Sequence, residues 1–427
     1  MELRQYPQLG EELYFAKLPN GLSVAVVPRK GFTKKLAYFV TDFGSIHRTV
    51  TQDGRTVTFP AGIAHFLEHK LFDMPGRDIT AEFAALGAVP NAFTGYDLTA
   101  YYFSCTEHFE ACLELLLEFV TTPYFTEETV QKEQGIIGQE IDMNDDSPDT
   151  RIFEQLMECM YENHPVRLPI LGSRQTIAQI TPQVLTDCHK AFYRPDNMLL
   201  CVVGDVDPDA VETIASRLPA GEGALPYAQR SWEEEMNCLV QLVTDSMEVS
   251  MPTFQIGFKC ESLGRGKEAV QKEIVADLAA EALFGESSPL YMRLYEEGLI
   301  DSSFGGGFET IEGMALLSIS GDSEDPEAVL EAILEQANIL VREGISQEAL
   351  LRMKRSALGR RIRALDSFDA TAFRVCAYHF SGFDYFRFPE LYRQAEASDI
   401  LEFIQRVVTR DRAGLSVIYP LEQEETV

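Results

Sequence analysis

The sequence predicts an α+β chain of two similar halves, and three observations carry that expectation. Runs with strand character, such as Thr99-Ala100-Tyr101-Tyr102-Phe103-Ser104 and Met198-Leu199-Leu200-Cys201-Val202-Val203, mix with long helical patterns instead of alternating with them one for one. No glycine-rich turn of the dinucleotide or phosphate-loop kind joins a strand to a helix. The chain also resembles itself: displaced by 212 positions, His65-Phe66-Leu67-Glu68-His69-Lys70-Leu71-Phe72 falls on Asp277-Leu278-Ala279-Ala280-Glu281-Ala282-Leu283-Phe284. The apolar frame survives in the second copy and the histidines do not, as an internal duplication would leave it.

In chain order, the apolar run Leu22-Ser23-Val24-Ala25-Val26-Val27 reads as a strand, and Thr253-Phe254-Gln255-Ile256-Gly257-Phe258 is set against it in the second half. From Glu107 to Thr121 the acids at 107, 110, 114 and 118 form one stripe against an apolar remainder, which is an amphipathic helix. Thr126 followed by Glu127 and Glu128 is a helix start, and apolar residues at helical spacing continue it to Ile141. At 427 residues, 45% hydrophobic and 24% charged, the chain is long enough for two cores of about 200 residues each. The seam falls in Pro219-Ala220-Gly221-Glu222-Gly223-Ala224-Leu225-Pro226, which leads into Trp232-Glu233-Glu234-Glu235. The expected domains are therefore 1–218 and 236–427, with 219–235 as linker.

Chemistry concentrates in His65-Phe66-Leu67-Glu68-His69, an inverted H-x-x-E-H pattern. Residues four apart share a helix face, so two imidazoles can converge on one ion while Glu68 sits beside them to take a proton from a water that the ion polarises. The alternative is a pair of core histidines on an amphipathic helix. A catalytic metal needs a third protein ligand, and Glu140 is the candidate. Glu133 lies two turns earlier on the same face, so one acid would bind the metal and the other would orient a ligand histidine. The bland alternative makes both acids solvent-facing.

His65-x-x-Glu68-His69, followed by Glu133 and Glu140, resembles the pitrilysin, insulysin and mitochondrial-processing-peptidase family of inverzincin zinc metallopeptidases. Pro90-Asn91-Ala92-Phe93-Thr94, His164-Pro165, Gly172, Ile180-Thr181, Tyr193-Arg194-Pro195-Asp196-Asn197-Met198 and Gly204-Asp205-Val206 follow in family order, so the resemblance spans most of the chain. It implies two homologous domains, each a mainly antiparallel sheet with helices packed on one face. It implies Zn2+ held by His65, His69 and Glu140, Glu68 as general base and Glu133 as the acid behind a ligand histidine. Asn91, Ala92, Phe93 and Thr94 become a substrate-binding edge strand, and Gly305-Gly306-Gly307 would lend flexibility near the substrate chamber or, on the residues alone, form a tight turn. The wording around His65 is similar to short bacterial members that occur with a related partner lacking the motif. Active single-chain members carry an arginine and a tyrosine in the second half that hold the substrate carbonyl. Here the matching positions are Tyr295 and Asp301, with Arg293 two places away on a different side of a helix. The resemblance thus implies an endopeptidase for short or unfolded peptides, completed as a two-subunit clamshell by a related subunit or a second copy. The alternative is a non-catalytic assembly or peptide-binding subunit.

The remaining features bound the surroundings. The start Met1-Glu2-Leu3-Arg4-Gln5-Tyr6-Pro7 has neither a basic leader nor an apolar core, and no run reaches the ~20 apolar residues of a membrane span, so a cytoplasmic protein is expected. Eight scattered cysteines without a C-x-x-C pair read as reduced packing residues. A formal net charge of −31 opposes nucleic-acid binding and would draw in basic or unstructured peptides. The basic stretch Arg352 to Arg363 stands out and reads as a solvated helix face or a contact for an acidic partner.

Overall fold

The computed structural model describes residues 1–52 and 54–421. Twelve strands build its two main sheets: β1 (Glu2–Tyr6), β2 (Glu11–Lys17), β3 (Ser23–Pro28), β4 (Lys35–Thr41), β5 (Val89–Thr94), β6 (Thr99–Cys105), β7 (Met198–Gly204), β8 (Leu242–Met247), β9 (Thr253–Cys260), β10 (Gly305–Ile311), β11 (Met314–Asp322) and β12 (Ala413–Pro420). The helices that matter here are α1 (Ile63–Leu71), α2 (Phe109–Thr121), α3 (Glu127–Asp145), α4 (Pro148–Met160), α5 (Lys267–Phe284), α6 (Pro289–Glu296), α7 (Gln347–Arg363) and α8 (Phe368–Phe380).

The first compact unit comprises Met1–Ile141, Pro169–Arg230 and Arg361–Arg387. Its sheet runs β1-β2-β3-β7-β4-β6-β5, antiparallel except for the parallel pair β3–β7. Side chains alternate across a strand, so Ala37 and Phe39 of β4 and Tyr101 and Phe103 of β6 face α1 and α2 and share one buried cluster with Phe66, Leu67, Leu113 and Leu116. The other face of the same sheet is not bare. It carries α8, whose Phe373 meets Phe93 of β5 with ring centroids 5.9 Å apart.

The second unit comprises Asp142–Leu168, Ser231–Arg360 and Phe388–Val427. Its sheet order is β8-β12-β9-β11-β10, with β8–β12 parallel and the rest antiparallel. This repeats the arrangement of β3-β7-β4-β6-β5 strand for strand and sense for sense. The duplication read from α1 and α5 is therefore also present in topology, with one change of partner. Thr253–Phe258 lies in β9, the counterpart of β4, so the run Leu22–Val27 corresponds to β8 instead.

Chain order and compact unit diverge at two helices. Residues 142–168 come before the expected seam, yet α4 packs on β12 and β9 of the second unit, where Gln155 Nε2 donates to Ser416 Oγ at 2.7 Å. Residues 361–387 come after the seam, yet α8 packs on β7 and β4 of the first unit. Part of the expected linker is also structured in the first unit, where Tyr227–Ala228 pairs with Thr49–Gln52. No helix of the described residues is long and apolar enough to cross a membrane.

Candidate metal centre

Helix α1 owes its position to a close backbone crossing. It starts at Gly62, whose φ of +90° is the left-handed region that glycine occupies without a Cβ penalty. A Cβ on Gly62 would lie 2.3 Å from the Leu171 carbonyl oxygen, and one on Gly172 (φ +71°) would lie 2.5 Å from that of Ala61. The two glycines let the segments before α1 and before Ser173 touch. Ile63, Ala64, Phe66, Leu67 and Leu71 anchor the helix in the core, and His65 is buried with them. Helix α3 is fixed from its own side by Gln134, whose amide donates to the carbonyls of Ile177 (3.2 Å) and Ile180 (3.1 Å).

These two helices bring three donors together. The ligating atoms of His65, His69 and Glu140 lie within 4.8 Å of one another. Glu140 Oε1 stands 3.6 Å from His65 Nε2 and Glu140 Oε2 stands 3.7 Å from His69 Nε2. Those separations exceed hydrogen bonds, whereas donors sharing one tetrahedral zinc at bond lengths of about 2.0–2.2 Å stand roughly 3.3–3.5 Å apart. Burial, with His69 adjacent, lowers the pKa of His65 to about 3, so its ring is neutral, as a metal ligand must be. Side-chain exposures of 27% for His69 and 38% for Glu140 leave one side of the cluster accessible, which suits a site with a position open to water. The nitrogen and oxygen donor set and its spacing fit zinc.

Glu133 does something different from Glu140. Its Oε1 is 2.9 Å from His69 Nδ1, a hydrogen bond that places the proton on Nδ1 and leaves the Nε2 lone pair toward Glu140. Burial disfavours a charged His69 ring, but the Glu133 hydrogen bond and charge, with Glu68 and Glu140 nearby, raise its pKa above the ordinary value. His65 has no such support among the described residues, where its buried Nδ1 lacks a hydrogen-bond partner.

Glu68 projects from α1 beside the cluster and accepts a hydrogen bond of 2.6 Å from Thr94 Oγ1. Burial pushes the Glu68 carboxyl above the usual carboxylate range, and the Thr94 bond works the other way. Of the expected edge strand, β5 is indeed outermost, and Pro90, Asn91 and Ala92 line a cleft of about 340 Å³ with Glu68, His69, Phe72, Thr80 and Glu133. Phe93 points to the opposite face, toward Tyr38 (6.4 Å) and Tyr102 (6.2 Å). Thr94 donates its hydroxyl hydrogen bond to Glu68. Phe72 and Thr80 line the cleft beyond the motif residues. Phe72 lies three positions after His69, which is a helical-face signal, while Thr80 carries none.

Other motif residues make contacts of their own. Arg194 pairs with Asp196 (2.8 Å) and donates to the carbonyls of Glu222, Gly223 and Ala224. His164 is buried, with Nε2 2.9 Å from the Glu312 carbonyl oxygen. On α6, Arg293 pairs with Glu335 (3.2 Å) and Tyr295 is 53% exposed, while Asp301 just beyond the helix accepts from Ser303.

A two-unit α+β protein with an inverted histidine–glutamate motif defines a class of metallopeptidase, and sequence comparison places the chain within it. Residues 59–174 match the family described as Insulinase (Peptidase family M16), and residues 179–357 match Peptidase M16 inactive domain. A Bacillus subtilis (strain 168) protein named Uncharacterized zinc protease YmfH is 39% identical, covering 97% of this chain and 98% of its own length. A crystal structure of an M16-like peptidase from Alicyclobacillus acidocaldarius is 30% identical with a TM-score of 0.91, covering 96% of this chain and 99% of that one. Pitrilysin, at 17% identity and a TM-score of 0.79, covers 98% of this chain and 46% of its own, and shares the fold. The chain belongs to the M16 family, the pitrilysin and insulinase group of zinc metallopeptidases.

Proposed function

We propose that this chain is a zinc-dependent endopeptidase for short or unfolded polypeptides, working in the cytoplasm and completed by a related subunit. The observation that carries the reading is the convergence of His65 Nε2, His69 Nε2 and the Glu140 carboxylate within 4.8 Å, with Glu68 beside them. Those three residues would hold the ion. When bound, zinc supplies Lewis acidity, which lowers the pKa of a water and polarises the scissile carbonyl.

The chain's own residues supply the rest. Glu133 keeps His69 in the tautomer that offers Nε2. A peptide adds as a strand along the free edge of β5, so main-chain pairing supplies affinity and the side chains around the cleft supply choice. Glu68 takes the proton of the attacking water on a carboxylate oxygen and returns it to the nitrogen of the departing amine. Donors for the developing oxyanion are not provided by Tyr295 or Asp301, which stand where other members carry arginine and tyrosine. They come from the second subunit in this reading.

The experiment is a comparison of wild type and Glu68→Gln, each alone and mixed with the related subunit. Wild type should turn over peptide slowly alone and faster by orders of magnitude in the mixture. Glu68→Gln should keep its zinc and lose turnover in both. A purely scaffolding subunit would lose nothing on the substitution, and full activity of the lone wild type would remove the need for a partner.

A further inference from the structure

A general base must be aimed, and the contact that can aim the Glu68 carboxylate comes from β5. Among the described residues, the one hydrogen bond to the Glu68 carboxylate comes from Thr94 Oγ1, at 2.6 Å to Oε2. Thr94 is the last residue of β5 and is paired with Thr99 of β6. The chain directly after it is pinned: Gly95 N–H donates to the Leu98 carbonyl (2.8 Å), and Ser45 N–H donates to the Gly95 carbonyl (3.1 Å). Gly44 lies so close to this turn that a Cβ there would be 2.3 Å from the Tyr96 carbonyl oxygen. The hydroxyl is therefore delivered from backbone held on both sides.

We propose that Thr94 is a positioning residue that locks the Glu68 carboxylate with Oε2 engaged and Oε1 left free to receive the proton. An ionised carboxylate only accepts hydrogen bonds, so the shared proton belongs to the threonine. A single donor on one oxygen removes rotation about the terminal torsion and makes the two oxygens inequivalent. The same strand that would pair with substrate thus also sets the geometry of the base. Thr94 acts on Glu68 rather than on the peptide. This inference rests on Glu68 being the base, so the two are tested together.

The variants are Thr94→Val, which keeps the shape and removes the hydroxyl, and Thr94→Ser, which keeps the hydroxyl. Thr94→Ala repeats the comparison without added bulk if the valine chain does not fold. Loss of a hydrogen bond to a charged group predicts a kcat lowered by about 10- to 100-fold in Thr94→Val. KM should stay within about 2-fold, because the ground-state contacts are untouched, and Thr94→Ser should recover most of the rate. Zinc affinity, measured by chelator competition, should match wild type. In crystals of the metal-free proteins, Glu68 should leave its rotamer in Thr94→Val and keep it in Thr94→Ser. A wild-type kcat in Thr94→Val, a loss carried by KM or by zinc affinity, or a failed serine rescue would overturn the proposal. Glu68→Gln run in parallel separates the two ideas: if it stays active, the base assignment itself fails. If it is inactive while Thr94→Val is fully active, only the positioning role fails.

Discussion

Individual side chains differ in how far local sequence reveals them. His65, Glu68 and His69 are legible because four-residue spacing on one helix is a local property. Glu133 and Glu140 are legible as a pair on one face, but tertiary placement separates them: Glu133 reaches His69 Nδ1, and Glu140 faces both Nε2 atoms. Glu133→Gln should lower zinc affinity by about 10- to 100-fold without unfolding the chain, measured by chelator competition. The link from Thr94 to Glu68 joins strand to helix and has no sequence signature. A second carboxyl has a consequence for pH. Burial, aided by the neighbouring Asp145 charge, raises Glu154 from 4.5 to about 7. Between those values the native state keeps a proton that the unfolded chain has released, so stability falls as pH rises through that window. Glu154→Gln should remove this decline, raising the thermal midpoint above wild type at pH 7.5 and not at pH 4. Equal midpoints at pH 7.5 would contradict the assignment.

At the scale of elements, the runs read as strands at 22–27, 99–104, 198–203 and 253–258 agree with the observed bounds to within two residues, and α3 begins at Glu127 directly after the expected threonine but runs on to Asp145. The α2 start moved from Glu107 to Phe109, because His108 adopts a positive φ of 54° and ends the preceding turn. What periodicity could not reveal is which sheet an amphipathic helix covers. An apolar face does not name the sheet it will cover, and α4 and α8 each pack in the unit on the far side of the expected domain seam. The position of α1 depends instead on the Gly62–Gly172 crossing. Gly62→Ala meets both a left-handed φ and a carbonyl oxygen at 2.3 Å, and should destabilise the chain by about 1–3 kcal/mol or more. Thermal denaturation of metal-free protein checks this, and an unchanged midpoint would show that the crossing can relax.

For the whole molecule, the duplication was visible in one helix and its full extent appears only in strand order, since corresponding strands share topology without sharing residues. The first copy carries the donor cluster, while α5 presents Asp277 and Glu281 where α1 has its histidines. One chain should therefore hold about one zinc, in the first unit. The net charge of −31 follows from composition and bears on partners, not on this count. The most direct measurement is metal content by plasma mass spectrometry of wild type and Glu140→Ala, purified at neutral pH and dialysed identically. A zinc site of three protein ligands should give about one zinc per wild-type chain and little in the variant, which lacks the third. Zinc retained at full stoichiometry in Glu140→Ala, or absent from the folded wild type, would contradict it.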